Sequence, residues 1–185
     1  MQIAVIDIGS NSIRYMEAGF CGSRPVFSRK EMFTTRLAAG LSESGKLSAP
    51  ELPFRTLCAL AGYVLVEADG AKHLPLKAHA AHEPVVPPEA NQTILVVGAS
   101  GFGKPMRESV HRAPIAAQAL GVGEDTIVTP ELWAGFLNFE ALHTRVLVNQ
   151  AENEQEQTTA RALAAGLHCP VCMAALQKGW IECLC

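Results

Sequence analysis

Residues 63–70 read Tyr63-Val64-Leu65-Val66-Glu67-Ala68-Asp69-Gly70, a short and strongly apolar run that ends in two acidic residues and a glycine. A second apolar run, at residues 93–97, also leads into a glycine-bearing loop. Uninterrupted apolar runs of this length are typical of parallel strands that are buried on both faces of a sheet. The two runs therefore predict a parallel sheet in the second part of the chain.

Helical patterns follow the second run, at residues 106–120, 130–142 and 152–167. Pro114 should break or kink the first of these helices. Residues 144–148 predict a further buried strand, and residues 73–91, rich in proline and histidine, predict a long ordered loop. This order of elements predicts an α/β fold with an open, mostly parallel sheet and flanking helices.

In the first part of the chain, apolar and polar residues alternate instead of forming uninterrupted apolar runs. Alternating apolar residues predict strands at 2–8 and 12–20 around a tight turn at 9–11, and a third extended run at 25–33. A helix is expected at about residues 49–61, with Pro50 in its first turn. Because the pattern changes after Gly62, we predict two domains, residues 1–62 and 63–185.

The composition limits the classes of function. With 49% hydrophobic and 18% charged residues in 185, the chain can bury a core. A net charge of −3 gives no reason to expect binding to nucleic acid or to a membrane surface. The sequence starts without a signal-peptide pattern and has no apolar run of the roughly 18 residues that a membrane span needs. We therefore expect a cytoplasmic protein.

The predicted hairpin tip carries groups that suit an oxyanion. Its first strand delivers Asp7 to the turn Gly9-Ser10-Asn11-Ser12, whose backbone N–H groups and hydroxyls can point at one phosphate. The carboxylate can hold a metal ion or a water molecule beside it. An ordinary hairpin turn explains the same residues equally well.

A longer string at this tip resembles a known family. Ala4-Val5-Ile6-Asp7-Ile8-Gly9-Ser10-Asn11-Ser12-Ile13-Arg14, followed by Thr35-Arg36-Leu37, is similar to the first phosphate-binding motif of the Ppx/GppA exopolyphosphatases. The resemblance covers about a third of the chain and implies a fragment of an actin-like ATPase fold. It implies phosphate contacts from Asp7, Gly9, Ser10, Asn11, Ser12 and Arg36. The family's catalytic glutamate and second phosphate loop have no counterpart in the sequence.

The acidic end of residues 63–70 points to a metal or a nucleotide. Carboxylates at the carboxyl end of a strand lie where open α/β sheets bind ligands, and Glu67 and Asp69 resemble the magnesium-binding acids of P-loop hydrolases. Two solvated acids at the start of a loop are the alternative. Three histidines, His73, His79 and His82, follow in the loop and could join a metal or substrate site, although solvent exposure is the default for His79.

The second part of the chain resembles the YqeC family. The similarity rests on Val66-Glu67-Ala68-Asp69-Gly70-Ala71-Lys72, Leu74-Pro75-Leu76-Lys77-Ala78, His82-Glu83-Pro84-Val85-Val86-Pro87 and Gly103-Lys104-Pro105. It implies an accessory protein for selenium-dependent molybdenum hydroxylases, with a P-loop-like fold and an assumed nucleotide role. Mg²⁺ and a nucleoside triphosphate are the implied cofactors. The candidate contacts are Glu67, Asp69, Gly70, Lys72, His82, Glu83, Gly103 and Lys104, and a separate motif at residues 149–152 adds Asn149.

The glycine-rich Gly-Lys-Thr loop that this family should carry is missing from the sequence. Gly98-Ala99-Ser100-Gly101-Phe102-Gly103-Lys104 fits the pattern G-x-x-x-x-G-K. Pro105 argues against a P-loop there, because proline offers neither a hydroxyl for magnesium nor a backbone N–H for phosphate. Asn149-Gln150-Ala151-Glu152 is similar to the guanine-reading Asn-Lys-x-Asp element, and a polar strand end explains it equally well.

Four of the six cysteines crowd the C-terminus, as Cys169, Cys172, Cys183 and Cys185. Two cysteine pairs can form a zinc ribbon, but the second pair has only one intervening residue. In a reducing compartment we expect thiols here and regard zinc as the less favoured alternative.

The preferred hypothesis is an accessory protein in the maturation of a selenium-dependent molybdenum hydroxylase, whose nucleotide or metal binding is impaired by truncation. The partner would be the hydroxylase or its maturation machinery. One alternative is a fragment of an exopolyphosphatase or guanosine pentaphosphate phosphohydrolase, and another is an inactive product of gene fusion. Any enzymatic activity would be hydrolysis of a nucleotide or a phosphoanhydride.

Overall fold

A computed structural model describes residues 2–8, 13–21, 24–33, 54–60 and 65–184. The chain divides into two compact units, Met1–Val66 and Glu67–Cys185. Among the described residues, no helix has both the length and the apolar character needed to cross a bilayer.

The first unit contains a three-stranded antiparallel sheet. Its strands are β1 (Gln2–Ile8), β2 (Ile13–Cys21) and β3 (Arg24–Phe33), in the order β1-β2-β3. The three strands lie where the alternating apolar residues predict them. Helix α1 (Phe54–Leu60) lies inside the predicted helix at 49–61, whose other residues are outside the described part of the chain.

The second unit is built on a four-stranded sheet in the order β5-β7-β8-β9. Its strands are β5 (Ile94–Gly98), β7 (Arg145–Asn149), β8 (Val171–Ala175) and β9 (Trp180–Cys183). The first three are parallel and β9 is antiparallel to β8. The strands predicted at 93–97 and 144–148 are confirmed, each displaced by one residue.

The strand predicted at residues 63–66 is wrong in its described part. Leu65 and Val66 have no regular secondary structure and are 62% and 43% exposed. Within the described residues they pair with no strand. An apolar run becomes a strand only if another strand supplies hydrogen-bond partners along its length, and a single-sequence pattern does not reveal that partner.

The predicted loop at residues 73–91 contains one short strand, β4 (Leu76–Lys77), and is otherwise irregular, as expected. Strand β4 pairs in parallel with β6 (Val110–His111). Gly98 N donates a hydrogen bond of 2.8 Å to Pro75 O, which fastens the loop to the end of β5. A Cβ atom at residue 98 would lie 2.7 Å from Cβ of Pro75, so this close approach requires glycine.

Four helices accompany the sheet: α2 (Met106–Ser109), α3 (Ala113–Leu120), α4 (Pro130–Glu140) and α5 (Glu154–Gly166). The single helix predicted at 106–120 is therefore two helices with β6 between them. Pro114 lies in the first turn of α3, where the missing N–H removes no hydrogen bond. The helix breaks before the proline because Val110 and His111 pair with β4.

Helices cover one face of the four-stranded sheet. Val97, Val148 and Met173 point into this core and are almost fully buried, together with Trp133 and Leu163 of α4 and α5. On the opposite face, Ile94, Val96 and Ile181 are 53%, 57% and 44% exposed. The expectation that the apolar strands are buried on both faces is therefore wrong for β5, since only alternate residues of this strand meet the helices.

Candidate functional site

Six ionisable side chains form a compact group that we term the charge cluster. Its members are Asp69, Lys77, His79, Glu83, Arg112 and Glu140. They come from the irregular segment before β4, from β4 and the loop after it, from the residue before α3 and from the last turn of α4. The cluster thus connects residues that are distant in sequence.

Lys77 lies at the centre of the charge cluster. Its side chain is only 6% exposed, and Nζ lies 2.7 Å from Oδ2 of Asp69 and 2.8 Å from Oε2 of Glu83. Nζ also donates a hydrogen bond of 3.0 Å to Gly70 O. The ammonium group therefore lies between two of the carboxylates that the sequence marks as metal or nucleotide contacts.

Arg112 provides the second cation. Its Nη2 donates to Oε1 of Glu83 over 2.9 Å, and Nη1 lies 2.8 Å from Oε2. The Lys77 ammonium, and Arg112 after it, hold the pKa of Glu83 below its usual range, against the opposing effect of burial. Lys77 Nζ lies 2.7 Å from Oδ2 of Asp69 and 2.8 Å from Oε2 of Glu83, although neither contact has the alignment of a full hydrogen bond.

His79 joins two carboxylates. Its Nδ1 lies 2.9 Å from Oε2 of Glu140, and its Nε2 lies 3.2 Å from Oδ2 of Asp69. The expected solvent exposure of His79 is wrong, since its side chain is 4% exposed. Each ring nitrogen therefore faces one carboxylate oxygen, so His79 connects the loop to the last turn of α4.

The charge cluster is closed to a metal ion in this arrangement. Oxygen atoms of Asp69 and Glu83 would suit Mg²⁺ chemically, but they face Lys77 and Arg112 at contact distance. In the described part of the chain, no group of three or more His, Cys, Asp or Glu side chains could hold a metal. The cluster does not fit a resident metal ion. Its ion pairs and hydrogen bonds instead connect the loop after β4 to the start of α3 and the end of α4.

The other predicted contacts in this segment are exposed side chains. Glu67 and Lys72 are exposed, and the side chain of His82 is 77% exposed, with Nε2 3.8 Å from Oε1 of Glu83. Lys72 and His73 both adopt positive φ angles, of 49° and 65°. The carbonyl group of Gly70 accepts from Lys77 within the charge cluster, and His82 approaches the cluster only at Glu83.

A second feature, which we term the edge cleft, lies at the carboxyl end of β5. Its volume is about 430 Å³, and its polar lining comes from Ser100, Lys104, Thr129, Gln155, Glu156 and Thr159. Gly103 also lines it, so the structure brings Gly103 and Lys104 together here and separates them from Asp69 and Glu83. Open α/β sheets bind ligands at this edge.

Most polar groups of the edge cleft already have partners. Glu156 accepts backbone hydrogen bonds from Glu152 and Asn153 as part of the N-terminal cap of α5. Thr129 caps α4 by accepting from Leu132 N. Lys104 differs, because it is exposed and forms no ion pair with any residue that the structure describes.

The loop after β5 does not form a phosphate nest at its Gly-Lys-Pro sequence. Gly103 N donates to Val128 O over 2.9 Å, and Met106 N donates to Thr126 O over 3.0 Å. These backbone donors are therefore used within the protein. This finding agrees with the sequence argument against a P-loop at Pro105.

Asn149 and Gln150 lie at the carboxyl end of β7. Oδ1 of Asn149 accepts a hydrogen bond of 3.2 Å from Leu176 N, and Oε1 of Gln150 accepts one of 2.6 Å from Ser100 Oγ. Both side chains thus fasten loops at the sheet edge. Glu152 lies 3.4 Å from Lys178 Nζ. Guanine recognition by this segment stays a prediction.

The predicted phosphate hairpin falls mostly outside the described residues, which do not include Gly9, Ser10, Asn11, Ser12 and Arg36. Asp7 lies on β1 with Arg14 as its Cα partner on β2. The phosphate role of these residues stays a prediction.

Two of the four C-terminal cysteines, Cys172 and Cys183, lie side by side on neighbouring strands. Cys172 and Cys183 are Cα partners on β8 and β9, and their Sγ atoms are 3.2 Å apart. Cys169 precedes β8 and is half-buried, whereas Cys185 lies outside the described residues. The zinc alternative stays untested for the full set of four.

The sequence analysis missed several residues of the charge cluster and the edge cleft. Arg112 and Glu140 approach the charge cluster only through tertiary packing. Thr129 could have been found, because threonine followed by Pro130 and Glu131 is a helix-start pattern, and helix starts line the ligand-binding edge of α/β sheets.

Comparison with known proteins gives one finding on family. The family model described as YqeC protein matches residues 21–114. This match begins within the segment predicted to resemble the exopolyphosphatases and continues across Gly62. None of the curated proteins and none of the solved structures compared with the chain matches it significantly.

Proposed function

The chain belongs to the YqeC family, and from this premise we propose that it is an accessory protein in the maturation of a selenium-dependent molybdenum hydroxylase. The family match is the observation that carries the proposal. The matched residues 21–114 include five of the six members of the charge cluster and also Gly103 and Lys104 of the edge cleft. The family segment therefore supplies parts of both features.

The edge cleft is the proposed binding site for a magnesium nucleotide. Its volume of about 430 Å³ lies within the range of small-ligand sites, roughly 300–1,000 Å³. Lys104 is the cation of the cleft that is open to a phosphate group, whereas the hydroxyls of Ser100 and Thr159 already donate to Gln150 Oε1 and Gln155 O. The position beyond the carboxyl end of β5 supports the same assignment.

The charge cluster has a positioning role in this proposal. It fixes the loop that contains Pro75, and Pro75 O accepts a hydrogen bond from Gly98 N where the cleft begins. Mg²⁺ would arrive with the nucleotide, because this ion retains several waters and is commonly held by phosphates and only one or two carboxylates.

Reconstitution tests the accessory role. The full chain would be co-expressed with a selenium-dependent molybdenum hydroxylase in a host that lacks any YqeC protein, and the purified hydroxylase would be assayed for bound selenium and for activity. Both should be higher in the presence of the chain. Equal selenium content and activity with and without the chain would contradict the proposed role.

A further inference from the structure

Two cysteine side chains meet across the last pair of strands. Cys172 of β8 and Cys183 of β9 are directly opposite each other in the antiparallel register, and their Sγ atoms are 3.2 Å apart. Neither the accessory role nor the nucleotide site uses them.

The backbone geometry permits a disulfide at this position. Directly opposite residues of an antiparallel pair have Cα atoms about 4.5 or 5.5 Å apart, depending on the hydrogen-bonding pattern. Both separations lie within the range of roughly 4.4–6.8 Å that disulfides span. The sulfurs would move from 3.2 Å to about 2.05 Å by side-chain rotation, without movement of the strands.

The thiols are accessible on one side. Cys183 is exposed and Cys172 is half-buried. The alternation of side chains along β9 places Cys183 on the same face as Ile181, which is 44% exposed on the side of the sheet that the helices leave uncovered. A small reagent can therefore reach Cys183 first and leave Cys172 to react second.

A dithiol explains this pair better than a metal site does. A structural zinc ion takes four ligands, so the two thiolates would need two further ligand side chains beside them. In the part of the chain that the structure describes, no group of three or more ligand-type side chains could complete such a site.

We propose that Cys172 and Cys183 form a redox-active dithiol that exchanges with low-molecular-weight disulfides such as glutathione disulfide. The Cys183 thiolate attacks one sulfur of glutathione disulfide, whose S–S bond breaks and releases one glutathione thiolate. Cys172 then loses its proton to solvent, and its thiolate attacks Sγ of Cys183 and displaces the second glutathione thiolate. The two cysteines lose two electrons together, and glutathione disulfide gains two electrons and two protons to become two thiols.

The new bond would restrain the C-terminal strand. Strand β9 follows β8 after a short turn and lies at the end of the strand order, so a covalent link at Cys172 and Cys183 fixes its pairing register. Cross-linking also reduces the conformational freedom of the unfolded chain. Oxidation should therefore raise the midpoint of thermal unfolding by roughly 5–10 °C.

Mass spectrometry of the full chain tests this proposal. The protein would be equilibrated with glutathione buffers of increasing disulfide content, quenched in acid, alkylated and digested. We expect one product that is lighter by about 2 Da and a linked peptide that joins Cys172 to Cys183. The single variants Cys172→Ser and Cys183→Ser should lose this link and its thermal shift, whereas Cys58→Ser, at an exposed cysteine of α1, should keep both.

The variant Cys185→Ser should also keep the link, and it excludes exchange with the neighbouring C-terminal thiol. A linked peptide that joins Cys183 to any other cysteine would overturn the proposal. Retention of both thiols in the most oxidising buffer, while Cys58 becomes glutathionylated, would overturn it as well.

Discussion

The charge cluster and the edge cleft use polar residues in opposite ways. In the charge cluster, Asp69 and Glu83 face Lys77 or Arg112 at contact distance, Glu140 faces His79, and Lys77 and His79 are almost fully buried. In the edge cleft, the partners are mostly backbone groups of helix caps and loops, and Lys104 keeps an open charge. The difference teaches that acidic residues at a predicted strand end need not be available to a ligand, because neighbouring cations can neutralise them.

Replacement of Lys77 by methionine should produce the largest effect. The variant keeps the length of the side chain but leaves Asp69 and Glu83 without the central ammonium. Unpaired charges in a buried cluster are costly, so we expect a loss of roughly 3 kcal/mol in the free energy of unfolding, at the lower end for buried pairs because both carboxylates are about one-fifth exposed. Urea denaturation measures this loss.

Lys178→Met is the matched control for Lys77→Met. Lys178 is 56% exposed and lies 3.4 Å from Oε2 of Glu152, so its removal should change stability by less than about 1 kcal/mol. Equal losses in the two variants would show that the charge cluster does not hold the loop.

His79→Asn should have the next largest effect. It removes the contacts of the imidazole with Asp69 and Glu140 and leaves two buried acceptors, at a cost of about 1–3 kcal/mol. His82→Asn is the control, because that side chain is 77% exposed. If chemical denaturation finds the same stability for both variants, His79 does not join the loop to α4.

Stability should also depend on pH through two histidines next to the charge cluster, His111 and His143. Burial lowers the pKa of His111 and His143, and the cations Arg112, Lys72 and Lys77 lower that of His111 further. Both histidines are then neutral in the folded state, whereas the unfolded chain binds protons below about pH 6.5. Stability should be constant above about pH 7 and decrease as the pH falls from 6.5 to 5.5.

Denaturation curves at pH 7.5, 6.5 and 5.5 measure this pH dependence. His111→Gln and His143→Gln should each make it shallower, while His82→Gln should not. An unchanged slope in both test variants would contradict the assignment. Glu83 does not interfere in this window, since its lowered pKa gives a contribution that is present above about pH 4.5 and is lost only as the pH falls further.

Local patterns in the sequence predicted much of the fold. Apolar runs located β5 and β7, alternation located β1 to β3, and periodicity located α4 and α5 to within two residues at each end, because these signals depend on neighbouring residues. Pairing between distant segments was not predictable in the same way. It makes Val110 and His111 a strand inside an expected helix, and it gives Leu65 and Val66 no strand partner within the described residues.

The sequence predicted some residues of the edge cleft and the charge cluster, but not their partners from distant parts of the chain. The resemblance at Gly103 and Lys104 named two residues that line the edge cleft. The acidic end of residues 63–70 named Asp69 of the charge cluster, and the YqeC resemblance named Glu83. Their partners could not be read from the sequence, because Arg112 and Glu140 are 29 and 61 residues from Glu83 and His79. Only the folded chain determines whether such carboxylates meet a cation of the protein or remain available to a ligand.

Replacement of Lys104 by glutamine should have the smallest effect on stability. The side chain is exposed and has no ion pair in the described part of the chain, so we expect a change within about 0.5 kcal/mol. A larger loss would mean that Lys104 supports the fold rather than a ligand.

Calorimetric titration of this variant with magnesium complexes of ATP and GTP tests the central claim most directly, with the parent chain and Lys178→Gln measured in parallel. The parent should bind at least one of the two nucleotides, Lys104→Gln should bind it roughly tenfold more weakly, equivalent to about 1.4 kcal/mol, and Lys178→Gln should bind it as the parent does. Equal affinity of the parent and Lys104→Gln, or no binding by the parent, would contradict the assignment of the edge cleft as the nucleotide site.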